Sequence, residues 1–150
     1  MKTPKGKNLR KARFSGTKQI YLITTTTHQR IPLFDDFKCA RYVVHAINYE
    51  DCGATTLAYV VMPDHFHWLM QLEEGETLDK VMHGVKSVSA HAINKHCQRE
   101  GEVWQCGYHD NALRREDDLK ATARYVVANP LKAGLVDRVG EYPLWDAVWI

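Results

Sequence analysis

No apolar run in this 150-residue chain approaches the length of a membrane span, which excludes a helical membrane protein from the expectations. The basic N-terminus lacks an apolar core, so a secretory leader is not expected and a cytoplasmic location is. Four cysteines (Cys39, Cys52, Cys97 and Cys106) contain no C-x-x-C spacing. That speaks against a disulfide framework and for reduced thiols. Acid is missing from residues 1–18, which carry Lys2, Lys5, Lys7, Arg10, Lys11, Arg13 and Lys18. With a total of +2, those seven cations leave residues 19–150 at −5. A basic arm on an acidic body suits a polyanionic partner, or a solubilising tail. No internal repeat is present, and no low-complexity segment beyond the arm.

An apolar fraction of 45% and a charged fraction of 25% are those of an ordinary globular domain. The length fits one domain, expected over residues 19–150 behind the arm of residues 1–18. Gln19 to Thr27 is rich in β-branched residues and predicts a strand. Phe37, Ala40, Val43, Val44 and Ile47 predict a helix opened by Asp35 or Asp36. Strands are expected at Thr55–Val61 and His65–Leu72, with Met62-Pro63-Asp64 as the turn between them. Thr77 caps a long helix whose stripe runs Leu78, Val81, Met82, Val85, Val88, Ala92 and Ile93. On its polar face, Lys86 and Ser87 are either solvated or substrate-facing. Val103–Leu113 is weakly strand-like. Glu116-Asp117-Asp118 opens a last helix with Leu119, Ala123, Val126 and Val127 buried. This order predicts an α+β sandwich, an antiparallel sheet with helices packed on it.

His65-Phe66-His67 carries the chemistry. Side chains two apart on a strand share a face, roughly 6–7 Å apart along the chain. Both imidazoles can therefore converge on one cation. Phe66, Trp68, Met70 and Leu72 read as core, and the histidine face as the open side of the sheet. Tyr125 and Asn129 sit four apart on one face of the last helix. Alone, Tyr125 reads as a boundary residue and Asn129-Pro130 as a helix stop or kink. Beside the histidine pair, the Asn129 amide carbonyl suits a metal and Tyr125 would face whatever the metal polarises. A rival set for structural zinc is His65, His67, Cys106 and His109.

Three runs, Tyr59 to Leu69 (YVVMPDHFHWL), Trp104 to Asp110 (WQCGYHD) and Arg124 to Leu135 (RYVVANPLKAGL), together resemble the single-tyrosine HUH transposases. The REP-associated tyrosine transposases of bacteria are the most similar group, and the likeness runs from Gly16 to Trp149. The resemblance implies a ferredoxin-like fold. It implies His65, His67 and Asn129 as ligands of Mg²⁺ or Mn²⁺, and Tyr125 as nucleophile. It further implies cleavage and rejoining of single-stranded DNA at palindromic hairpins through a 5′-phosphotyrosine. Arg114, Arg115 and Arg124, with Lys5, Lys7, Arg10, Lys11 and Arg13 of the arm, are the expected DNA contacts. His109 or a water is the candidate base for Tyr125. A hairpin binder without turnover is the alternative. A monomer is expected, since no extra dimerisation segment is evident, with a dimer as the other possibility.

Overall fold

The computed structural model describes residues 19–148, so the arm residues Lys5, Lys7, Arg10, Lys11 and Arg13 lie outside it. Strand β1 (Ile20–Thr26) leads through two short 3-10 segments into helix α1 (Phe37–Asn48). Asp36 is the N-cap of α1, and its Oδ1 accepts from the Lys38 and Cys39 amides at 2.9 and 3.4 Å. Strands β2 (Ala54–Met62) and β3 (His65–Leu72) form a hairpin. Helix α2 (Leu78–Cys97), strand β4 (His109–Leu113), helix α3 (Glu116–Lys132) and strand β5 (Trp145–Ala147) follow.

All strand pairs are antiparallel, in the order β4-β1-β3-β2-β5. The first four stand in ferredoxin-like order, and β5 adds an edge that the sequence reading did not contain. Helices α1 and α2 cover one face, packing Cys39, Ala40, Val43, Ile47, Val81, Met82, Val85 and Ile93 against Phe66, Trp68 and Met70. Full burial of Phe66 contributes roughly 1.5–3 kcal/mol. Trp68 Nε1 donates to Thr56 Oγ1 at 2.9 Å, and that hydroxyl donates to the Ile47 carbonyl at 2.8 Å, which ties the end of α1 to the sheet. In the α2 stripe, Val88 is exposed and Ser89 takes the buried place. Ser89 Oγ accepts from Trp104 Nε1 and donates to the Val85 carbonyl, so a polar residue is satisfied in the core.

The opposite face is not the open one that alternation in β3 suggested. Helix α3 lies on it, packing Leu119, Ala123, Val126 and Val127 against Leu57, Ala58, Val60, Met62 and Leu69. A bulge between Thr56 and Ala58 turns both Leu57 and Ala58 to this side and sets the register of the rest of β2. Residues of β2 are consequently buried throughout, and those of β3 from Phe66 onward.

Pro130 does not stop α3 at Asn129. It lies inside the helix, which runs on to Lys132. A proline cannot donate to the carbonyl four residues back. Asn129 Nδ2 fills that gap, donating to the Val126 carbonyl at 3.1 Å and the Tyr125 carbonyl at 2.9 Å. The helix ends where Gly134 (φ 75°) and Leu135 donate to the Leu131 and Pro130 carbonyls, at 3.1 and 2.9 Å. Only His109–Leu113 of the weakly strand-like stretch is a strand. Trp104 adds a single bridge to Thr27.

Candidate active site

The site begins at the β2–β3 turn. Pro63 fixes a negative φ, so the two-residue Pro63-Asp64 turn cannot be of the primed type that best matches strand twist. Backbone bonds from outside hold it: Thr27 N donates to the Asp64 carbonyl at 2.9 Å and Phe34 N to the Pro63 carbonyl at 3.0 Å. Asp64 then faces its neighbours with both oxygens. Oδ1 lies 2.7 Å from His65 Nδ1, and Oδ2 accepts from Arg30 Nε at 3.1 Å. Burial pulls the Asp64 carboxyl upward, but the His65 hydrogen bond and the Arg30 charge hold it below its ordinary range.

His67 is anchored from the neighbouring strand. It pairs with Thr24 across the sheet, and Thr24 Oγ1 lies 2.9 Å from its Nδ1. Both imidazoles are thus held through Nδ1, while neither Nε2 is hydrogen-bonded among the described residues. The rings stand 5.0 Å apart at 81°. Burial, with the nearby His65, pushes the His67 imidazole down to about 4. It is therefore neutral at pH 7, the form that binds metal. Two imidazoles, oriented by outer partners and free at the same nitrogen, fit a divalent cation.

Helix α3 brings Tyr125 to this pair. Its ring centroid is 6.1 Å from that of His67, and the residue is 46% exposed. Asn129 is half-buried one turn on, and the two Nδ2 bonds leave Oδ1 as its acceptor end. Lys132 Nζ lies 5.0 Å from the Tyr125 ring centroid. The sequence reading missed Lys132, although Tyr125, Asn129 and Lys132 are spaced four and three, on one helical face. It also missed Thr24, whose partner only the strand register reveals, and took Asp64 for a turn residue alone.

Other expected residues fall elsewhere. His109 pairs with Thr24 on the far side from His67, so it shares the histidine face two strands away, at roughly 10 Å. Arg124 is exposed beside Tyr125. Arg114 and Arg115 are exposed at the start of α3, about 15 Å along the helix from Tyr125 and so not beside it. Lys86 is remote as well, on α2 across the sheet. Its Nζ donates to the Gln105 and Gly107 carbonyls at 3.0 and 2.5 Å and holds the loop before β4. The zinc set of His65, His67, Cys106 and His109 is not assembled. Among the described residues, one group of four such side chains converges, and it is a different one.

Two expectations follow. Thr24→Val keeps the shape of the side chain but removes the hydroxyl that orients His67. A Mn²⁺ titration by calorimetry should show about 10- to 100-fold weaker binding. In metal-free protein, His67 (about 4 folded, against an ordinary 6.5) makes the unfolded chain the stronger proton binder between those values. Stability is then undiminished by this group above pH 6.5 and falls as pH drops toward 4, by about 3 kcal/mol in all. Urea midpoints across that range should show the slope, and His67→Asn should lose it.

Residues 16–129 match the family model described as "Transposase IS200 like". A Haemophilus influenzae protein provisionally named as a REP-associated tyrosine transposase is 30% identical over 98 residues, covering 59% of this chain and 56% of that protein. The REP-associated tyrosine transposase of Escherichia coli K12 is 29% identical over 87 residues, 57% and 50% of the two chains. The chain thus spans about half the length of the curated relatives it matches. A solved REP-associated tyrosine transposase bound to a REP hairpin superimposes with a TM-score of 0.70 at 24% identity, over 85% of this chain and 75% of that one. That likeness bears on the fold, and the family match covers most of the chain; this protein belongs to the IS200-like transposase family.

Proposed function

We propose that the chain is a metal-dependent strand transferase that cuts and rejoins single-stranded DNA at palindromic hairpins, with Tyr125 as nucleophile. The observation that carries this reading is the placement of the Tyr125 ring 6.1 Å from His67, on the face where His65 and His67 keep Nε2 free. His65, His67 and the Asn129 Oδ1 would hold Mg²⁺ or Mn²⁺. The ion, when bound, supplies Lewis-acid polarisation of a non-bridging phosphate oxygen.

The chain's own residues account for the rest. Tyr125 Oη attacks phosphorus, the Oη–P bond forms and the P–O3′ bond breaks. The phenolic proton leaves during attack, because a neutral phenol is a poor nucleophile. The departing 3′-oxygen gains a proton, leaving a free 3′-hydroxyl and a 5′-phosphotyrosine. Attack by a 3′-hydroxyl reverses these steps and joins strands without an external energy source. Lys132, beside the ring, favours the anionic oxygen as the proton leaves. The exposed Arg124, next to Tyr125 in sequence, would meet the backbone near the scissile phosphate. His109, on the histidine face two strands from His67, or a water would take the phenolic proton.

Incubating labelled hairpin DNA carrying a single-stranded flank with the protein and Mn²⁺ tests this reading. A covalent protein–DNA adduct that survives denaturation is expected. Tight binding with no adduct and no cleavage, under Mg²⁺ or Mn²⁺, would favour a hairpin-binding module instead.

A further inference from the structure

We propose that Asp36, Cys39, His96 and Cys97 form a second metal site, for a thiophilic divalent cation of the zinc type, between α1 and α2 on the face of the sheet away from the histidine pair. One ligand atom from each of the four lies within 4.8 Å of the others. Cys39 Sγ is 3.0 Å from Cys97 Sγ, and His96 Nε2 is 3.1 Å from Asp36 Oδ2. Two elements supply the set. Asp36 and Cys39 are the N-cap and first turn of α1, and His96 and Cys97 close the last turn of α2.

The local structure prepares each donor. Asp36 divides its carboxylate: Oδ1 caps the helix and Oδ2 points to His96. Cys39 is fully buried, whereas the His96 and Asp36 side chains are 27% and 46% exposed, so the cluster opens on one side. Two sulfurs, one nitrogen and one oxygen make a four-coordinate donor set of the structural zinc kind. With Zn–S near ~2.3 Å and Zn–N or Zn–O near ~2.0–2.2 Å, tetrahedral geometry needs about 3.8 Å between sulfurs and about 3.4 Å between nitrogen and oxygen. Closing on an ion therefore asks the sulfurs to part by less than about 1 Å, the His96–Asp36 pair to move by a few tenths, and the sulfurs to draw toward that pair from at most 4.8 Å to about 3.6 Å. Without a cation, burial and the neighbouring Cys97 push the Cys39 thiol up to about 12, so binding must release its proton. A disulfide would use two of the four donors and leave His96 and Asp36 as a hydrogen-bonded pair, so the state of the two thiols separates the alternatives.

Such an ion would pin the start of α1 to the end of α2, behind the sheet. It is independent of the chemistry proposed for Tyr125 and shares no residue with it. The test is metal analysis of the full chain purified without chelator and dialysed, followed by cobalt replacement. One equivalent of zinc is expected, with a thiolate-to-cobalt charge-transfer band after exchange. Cys97→Ser and the partly exposed His96→Gln should each weaken metal binding at least tenfold while circular dichroism stays unchanged, and His67→Ala should retain the zinc. Background zinc with no charge-transfer band overturns the site. Retention undiminished in both Cys97→Ser and His96→Gln does so too, as does recovery of Cys39 and Cys97 as a disulfide after alkylation and mass spectrometry.

Discussion

Tyr125→Phe is expected to lower covalent capture of hairpin DNA by about 10⁴-fold or more, while hairpin affinity stays within about threefold. The substitution removes one oxygen from a ring that is 46% exposed at the edge of α3. No core contact depends on that oxygen, so stability should change by less than about 0.5 kcal/mol. Tyr142 and Tyr108 are poor substitutes. Tyr142 is held by a hydrogen bond to the Val61 carbonyl, and burial pushes its phenol up to about 12. Tyr108 donates to Asp79, and burial with that carboxylate raises its phenol further. Gel separation of denatured protein–DNA adducts, with affinity measured in chelator, separates the two quantities. Capture by the phenylalanine variant at the wild-type rate would assign the nucleophile elsewhere.

His67→Ala should have the second largest effect, lowering adduct formation by about 10²- to 10⁴-fold at fixed Mn²⁺ and raising the Mn²⁺ needed for half-maximal rate by at least about 100-fold. The loss should exceed that from His65→Ala. His67 is the more buried of the pair (8% exposed), and it faces Tyr125 directly. His65 is bound instead to Asp64 at the rim. Since alanine leaves Thr24 Oγ1 without its partner, a stability loss of about 1–3 kcal/mol accompanies the change. Rates are therefore to be compared at a temperature where circular dichroism shows both variants folded. An unchanged Mn²⁺ dependence in His67→Ala would remove the histidine pair from the site.

How much of this could be read before the structure follows from which interactions are local. The shared face of His65 and His67 is a consequence of strand period, and that of Tyr125 and Asn129 of helical period. Both are visible in a few residues of sequence. The covering of the histidine face was not visible. Leu69 alternates with the core residues, as on a half-exposed strand, and only the position of α3 shows that it is buried. Thr24 acquires meaning through the β1–β3 register, and the Asp36–Cys97 cluster through the packing of α1 on α2, contacts between residues distant in sequence. The run of α3 through Pro130 misled for a different reason. Proline disfavours a helix both by restricting the residue before it and by a lost donor, and here the Asn129 side chain supplies the donor.

The central claim is that Tyr125, placed beside the histidine pair by α3, takes the DNA 5′-phosphate. Its most direct measurement is the mapping of the adduct: trap the protein on hairpin DNA with Mn²⁺, digest both, and sequence the linked peptide by mass spectrometry. The account predicts a phosphodiester between Tyr125 Oη and a 5′-nucleotide, with a free 3′-hydroxyl on the released fragment. Linkage at any other residue, linkage through a 3′-phosphate, or hydrolysis without linkage would contradict it.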